Sequence, residues 1–353
     1  MPNDYIRLSF LMRKPAKVAL FCEGTPEKGF GHIGRCLALG AALKDKHSSN
    51  CLFVFRGSES ARNKIYEAGF EVVKVSAFES YVFSDEDAVV LDLLVPLASS
   101  FFTNAAAKKI LICTIDDPTP NRLKSDLAFY PPVPQVQDLN WNNFSGELFC
   151  GWDYIPLRKE FFKTTNLPPI TTDKENSSIL ELLVTAGGSD PAELTLKILQ
   201  VLTYISEPWH AKVVIGPMFK NMDKIKEIAV GLGDRVKLVS NVKTMSQLMC
   251  QSDLAIASFG MTAYELAACR TPQLLLCMTD DHACSASALH ATGAAISLGK
   301  YDLISEQKLT EILLKLISDK KLRADMIINA EKLNIGRGSS NIAESIIKRL
   351  KSK

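Results

Sequence analysis

Short apolar runs alternate with stretches of helical spacing along most of the chain. In the first half, strands are predicted at Val18–Cys22, Cys51–Phe55, Glu71–Val75, Ala88–Asp92, Lys109–Thr114 and Leu127–Phe129, each a short apolar run bounded by turn residues. Between them, Gly34–Lys46, Ser60–Ala68 and Ala98–Ala107 carry helical spacing. Pro131 to Asn143, rich in Pro, Gln and Asn, is predicted loop, and the Thr-, Pro-, Asn- and Ser-rich Lys163 to Ser178 an interdomain linker. The alternation then restarts, with strands expected at Ile179–Thr185, Ala211–Ile215, Val236–Val239, Leu254–Ala257 and Gln273–Cys277. Helices are expected at Ala192–Leu202, Met222–Gly231, Met245–Cys250, Thr262–Ala268, Ser285–Ala291, Glu306–Ser318 and Lys320–Leu333, and a last one at Ile342–Arg349. This pattern predicts an α/β protein with two doubly wound, Rossmann-like domains facing a central cleft. The expected division is 1–162, linker 163–178, 179–335 and a C-terminal helix 336–353. The halves do not repeat each other in sequence.

Composition changes this picture little. The 353 residues suffice for two domains, and 47% hydrophobic with 23% charged residues is ordinary for a globular chain. A net charge of +2 without a basic cluster gives no nucleic-acid signature. Nine cysteines, without metal-ligand spacing and with Cys113, Cys150 and Cys277 in apolar runs, predict buried, reduced thiols in a cytoplasmic protein. No run reaches membrane-spanning length, and Met12 is a second candidate start beside Met1.

Three glycine-bearing strand-to-helix turns carry the candidate chemistry. The first, Gly29-Phe30-Gly31-His32-Ile33-Gly34-Arg35, sets a histidine near a helix N-terminus, where it can take a proton from water or a hydroxyl. The second is Gly187-Gly188-Ser189-Asp190-Pro191, in which Asp190 either caps the next helix or meets a ligand. The third is Ser258-Phe259-Gly260-Met261-Thr262-Ala263-Tyr264-Glu265. Its backbone N–H groups at Gly260, Met261 and Thr262 suit a diphosphate at a helix N-terminus, with Glu265 one turn on for ribose hydroxyls. Gly29, Gly31 and Gly34 spell GxGxxG, yet Glu23 to Lys28 separate them from their strand, and the second strand ends in Phe55-Arg56 without the acidic residue an NAD ribose needs. Asp116-Asp117 reads as a loop cap rather than a metal pair, and His282 and His290 lack partners at ligand spacing. No metal or cofactor is expected.

Gly29–Cys36, Cys150–Phe162, Gly187–Asp190 and Ser258–Glu265 resemble, in order and spacing, the nucleotide-sugar hydrolases of pseudaminic acid biosynthesis. That family is similar in turn to inverting glycosyltransferases of the GT-B fold, including the peptidoglycan N-acetylglucosaminyltransferase. The resemblance spans nearly the whole chain from Lys17. It rests most on the GFGHIGRC loop and on CGWDYIPLRKEF, for which the sequence offers no general structural reason. It implies metal-free, inverting hydrolysis of UDP-2,4-diacetamido-2,4,6-trideoxy-β-L-altropyranose at the anomeric C–O bond. By the same resemblance His32 activates water, Gly31 and Arg35 belong to its loop, Ser258–Thr262 bind the diphosphate and Glu265 the ribose. Gly187, Gly188, Ser189, Asp190 and Glu193 are the remaining expected substrate contacts. Two departures fall on the sugar side. The chain has Asp92-Leu93-Leu94 where the family carries Asp, a polar residue and Tyr, and Glu193 where Asn is usual. An inverting GT-B transferase with another acceptor, and a non-catalytic nucleotide-sugar-binding protein, are the alternative readings.

Overall fold

The computed structural model describes residues 14–24, 31–162 and 179–352, so Gly29, Phe30, both candidate starts and the expected linker lie outside the described residues. Seven parallel strands build the first sheet: β1 (Lys17–Gly24), β2 (Asn50–Gly57), β3 (Glu71–Lys74), β4 (Ala88–Asp92), β5 (Leu111–Ile115), β6 (Leu127–Tyr130) and β7 (Glu147–Cys150). They lie in the order β3-β2-β1-β4-β5-β6-β7. This half supplies α1 (Gly31–His47), α2 (Glu59–Glu67), α3 (Ser99–Ala107), α4 (Gln135–Asp138) and α5 (Lys159–Phe162).

The second sheet has six parallel strands: β8 (Leu180–Thr185), β9 (Trp209–Ile215), β10 (Val236–Ser240), β11 (Leu254–Ser258), β12 (Gln273–Cys277) and β13 (Ile296–Lys300). Their order is β10-β9-β8-β11-β12-β13. Its helices are α6 (Leu194–Leu202), α7 (Met222–Gly231), α8 (Met245–Cys250), α9 (Met261–Ala268), α10 (Asp280–Ala291), α11 (Glu306–Ser318) and α12 (Lys320–Lys332). The chain ends in α13 (Gly338–Ser352). These are two Rossmann-like sheets, and each reverses its strand order once, between β1 and β4 and between β8 and β11. Such a reversal opens a crevice at the carboxyl ends of the strands, because the helices on either side leave in opposite directions.

Central strands are buried on both faces, which is why they read as unbroken apolar runs. The edge strands β7 and β13, Glu147–Cys150 and Ile296–Lys300, are only partly covered and carry no such run; neither was predicted. Cys150 consequently faces solvent, against the expectation of a buried thiol, whereas Cys113 and Cys277 are buried. No helix among the described residues is long and apolar enough to cross a membrane.

The two halves are laced together by crossings of the chain. Ile155, Leu157 and Phe161, expected in the first domain, pack into the core of the second sheet beside Tyr264 and Leu266. In return, Ile342, Ala343, Ile346 and Ile347 of α13 pack into the first core with Leu39 and Leu43 of α1. At the crossing, Ser339 donates to Leu157 O at 2.9 Å and Asn341 Nδ2 to Asp153 O at 2.9 Å. The CGWDYIPLRKEF segment thus has a structural role, since it carries the chain from one core to the other. Gly338 must be glycine here, because a Cβ would lie 2.0 Å from Ile155 O. Gly338→Val is expected to destabilise the protein by about 3 kcal/mol through this overpacking, read as a lower denaturant midpoint at unchanged slope. An unshifted midpoint would mean that the crossing is not tightly packed.

Candidate active site

All three glycine turns fall at the two strand-order reversals. α1 follows β1, the Gly187–Asp190 turn follows β8, and α9 follows β11. α1 begins at Gly31, three residues earlier than expected, so His32 and Arg35 lie inside its first turns, on one face at i and i+3. Asp92 ends β4, the strand beside β1, and Asp116 directly follows β5, the next strand over. Parallel pairing therefore brings two carboxylates to the foot of the histidine's helix.

The four side chains form one network. His32 Nδ1 stands 2.6 Å from Asp92 Oδ1 and 3.0 Å from Arg35 Nη2; toward an ionised carboxylate, which only accepts, the ring nitrogen donates as N–H. Arg35 grips Asp92 with two donors, Nε to Oδ2 at 3.0 Å and Nη2 to Oδ1 at 2.6 Å. Its third donor, Nη1, reaches Asp116 Oδ2 at 2.7 Å. Asp92 is fully buried and the side chains of His32 and Arg35 are 13% and 12% exposed, whereas that of Asp116 is 37% exposed. Burial opposes ionisation of Asp92, but Arg35 and His32 outweigh it and hold its carboxyl below the usual range. Burial also disfavours the Arg35 cation, yet Asp92 and Asp116 more than compensate and keep it protonated. At Asp116 burial dominates over Arg35, and its carboxyl is raised. With Nδ1–H committed to Asp92, Nε2 of His32 carries the lone pair of the neutral ring, the atom a general base uses.

Two cavities meet at this network. One, of about 470 Å³, is lined from the first half by Gly31 and Arg35 and from the second by Gly188, Ser189, Met261, Thr262 and Glu265. The other, of about 280 Å³, is lined by Arg35 and Asp116 opposite Gly260, Met261 and Tyr264. Arg35 and Met261 border both. The first turn of α9 thus divides the cleft. Its preceding residue, Gly260, has φ +154° and ψ −157°, a backbone region that L side chains scarcely enter. Glu265 accepts from Arg158 Nη2 at 3.0 Å; burial raises its carboxyl, with Arg158 opposing.

Other expected contacts lie elsewhere. Asp190 is buried and caps α6, accepting from Leu194 N at 2.8 Å and Thr195 N at 2.9 Å, which answers to its capping reading. α6 starts at Leu194, so Pro191 precedes it rather than opening it. Glu193 accepts from Asn221 Nδ2 and lines a shallow cavity with Lys197 and Tyr301, apart from the two cleft cavities. Ser258 is buried at the end of β11, and neither it nor Gly187 lines those two cavities. Among the described residues no group of three or more His, Cys, Asp or Glu could hold a metal ion.

Asp92, Asp116 and Arg158 were missed as site residues, although Asp92 and Asp116 both sit where an apolar strand run ends in a carboxylate. Asp116 and Asp117 point apart, as adjacent residues in a turn must. Asp117 is the loop cap, accepting from Thr119 N at 2.7 Å and Asn121 Nδ2 at 3.1 Å, while Asp116, at φ +50°, turns to Arg35.

No protein-family model matches the chain. It is 29% identical over 261 residues to an uncharacterised protein, MJ1062, of Methanocaldococcus jannaschii, covering 70% of this chain but 53% of that protein, about half its length. It is 22% identical over 334 residues to the spore coat polysaccharide biosynthesis protein SpsG of Bacillus subtilis, covering 91% and 95% of the two chains. Among solved structures, MurG of Acinetobacter baumannii superposes with a TM-score of 0.68 at 13% identity, over 95% of this chain and 100% of that one. HepE of Anabaena, solved in complex with UDP-glucose, superposes at 0.57 with 14% identity, over 96% and 100%. The chain has the GT-B fold.

Burial pushes the Asp117 carboxyl up to about 6. A carboxyl raised on folding binds its proton more tightly in the native state, so its ionisation costs stability as pH climbs from about 4 to about 6. Wild type should lose on the order of 2–3 kcal/mol relative to Asp117→Asn across that window, by urea unfolding at each pH. Parallel profiles for the two proteins would contradict this.

Proposed function

We propose that this chain is a nucleotide-sugar hydrolase that cleaves the anomeric C–O bond of a UDP-linked diacetamido-trideoxy hexose with inversion, releasing UDP, in surface polysaccharide or nonulosonic acid biosynthesis. The observation that carries it is the ring of His32, 13% exposed and fixed by buried Asp92 in the first turns of α1, beside Arg35, which lines both cavities opposite the N-terminus of α9; the ring itself borders neither cavity wall. The names of SpsG and of the HepE complex lend support, one for polysaccharide synthesis and the other for a UDP-sugar on this fold.

In this reading the diphosphate sits over the first turn of α9, where unpaired N–H groups and the helix dipole favour its charge. The nucleoside occupies the 470 Å³ cavity, with Glu265 for the ribose, and the sugar the 280 Å³ cavity. Apolar lining there, from Leu94, Ile115, Phe129, Val133 and Phe259, suits a deoxygenated, acetamido-bearing ring better than a fully hydroxylated one. His32 Nε2 takes a proton from water as the water oxygen bonds to the anomeric carbon. The bond to the β-phosphate oxygen breaks, and its electron pair leaves with UDP toward the positive end of α9. The ionised Asp92 holds the ring in the required tautomer and stabilises the imidazolium that forms.

The fold it shares with MurG keeps an inverting transferase as the second reading, the sugar then passing to an acceptor other than water. Purified protein incubated with UDP-sugars, with UDP release followed with and without candidate acceptors, separates the two. Release into water alone supports the hydrolase, and release only with acceptor overturns it. In either chemistry His32→Ala is expected to lower the rate about 10²–10⁴-fold. Asp92→Asn, which keeps the shape but loses the tautomer-fixing charge, should lower kcat by a comparable factor at little change in KM. Undiminished turnover in either variant would remove the dyad from the mechanism.

A further inference from the structure

We propose that Asp116 is a specificity-determining residue, its free carboxylate oxygen accepting a hydrogen bond from an O–H or N–H donor on the sugar. The inference rests on the nucleotide-sugar reading of the cleft and adds a contact that the sequence assigned to no ligand.

Four observations converge on it. Asp116 lines the 280 Å³ cavity across from Gly260, Met261 and Tyr264, so any group attached to a phosphate over α9 and entering that cavity meets its carboxylate. Arg35 Nη1 holds Oδ2 at 2.7 Å, while among the described residues no donor reaches Oδ1. The carboxylate is therefore braced on one side and open on the other, the arrangement of a fixed acceptor. The backbone is strained to present it: Asp116 has φ +50°, and its N–H is tied to Phe129 O at 2.8 Å. Asp117 next to it is buried and anchors the loop, so the turn is held from both sides.

The surroundings set how selective this contact is. Much of the cavity wall is apolar, with Leu94, Ile115, Pro118, Phe129 and Val133 near the carboxylate in sequence or across the sheet. A carboxylate in such a wall loses water when the cavity fills. A sugar without a donor at that point leaves the acceptor dry and unpaired, whereas one with a donor satisfies it, and discrimination of this kind exceeds what apolar contact achieves. Asp92 cannot take this part, since it is fully buried and both its oxygens are engaged by His32 and Arg35.

Calorimetric titration of UDP, UDP-glucose and UDP-N-acetylglucosamine into wild type, Asp116→Asn and Asp116→Ser tests the assignment. Asn tolerates the left-handed backbone, and its amide nitrogen would turn toward the sugar as its oxygen stays on Arg35. Serine is the second variant should the first not fold. Wild type is expected to bind at least one of the two UDP-sugars more tightly than UDP. Both variants should lose roughly tenfold for that ligand while binding UDP within about twofold of wild type. A retained sugar preference in a folded variant, or no sugar preference in wild type, overturns the role of Asp116 and leaves the nucleotide reading standing. Absence of UDP binding to wild type overturns the nucleotide reading and this inference with it.

Discussion

The grip of Arg35 on two carboxylates is the interaction on which the rest of the site depends. A fully buried Asp92 would not stay ionised alone, because removing a carboxylate from water costs several kcal/mol. Arg35 offsets that cost with a two-pronged contact and directs Nη1 to Asp116. A second carboxylate so close to Asp92 would otherwise push one of the pair to neutrality. One guanidinium thus keeps Asp92 charged, Asp92 keeps the His32 ring oriented, and Asp116 stays aimed at the cavity. Lysine could not substitute, since a point charge lacks the planar fork that reaches three oxygens at fixed angles.

This network sits in the cleft because of topology. Two carboxylates on β4 and after β5, and a helix following β1, converge only because the strand order reverses between β1 and β4. The second sheet repeats the reversal between β8 and β11 and turns the N-terminus of α9 toward the same space. The crossings hold the two crevices in register. Ile155, Leu157 and Phe161 are buried in the second core and Ile342, Ala343, Ile346 and Ile347 of α13 in the first, so the halves share packing. Arg158, on the crossing strand of chain, places a cation beside Glu265 at the cleft wall.

Most elements were legible from periodicity alone, with Ala88–Asp92, Met222–Gly231, Gln273–Cys277 and Glu306–Ser318 ending where the apolar pattern ends. The edge strands β7 and β13 were not legible, since a strand covered on one side needs no apolar run. His32 and the turn at Gly260 could be picked out because each stands where an apolar strand run gives way to a helix and because the resemblance falls on the same residues; spacing alone left a plain tight turn equally open. Asp92 gave no such sign. It reads as the polar end of a strand, and its departure from the resembled family lay in its neighbours, Leu93 and Leu94. The Asp116-Asp117 pair was legible as a turn, but which of the two faced the cleft was not.

Local chemistry, then, determined what this chain could say by itself: strand and helix periods, the alternation that implies parallel sheets, and glycines that mark the turns. Those are effects within a few residues, set by backbone sterics and by which face meets the core. Partners remote in sequence were decided by tertiary structure. His32 and Asp92 are 60 positions apart, Arg35 and Asp116 81, and Arg158 and Glu265 107. No local pattern encodes such pairs. They form because sheet order, strand register and the crossing chain bring buried charges together, and a buried charge is tolerated only with its counter-charge in reach.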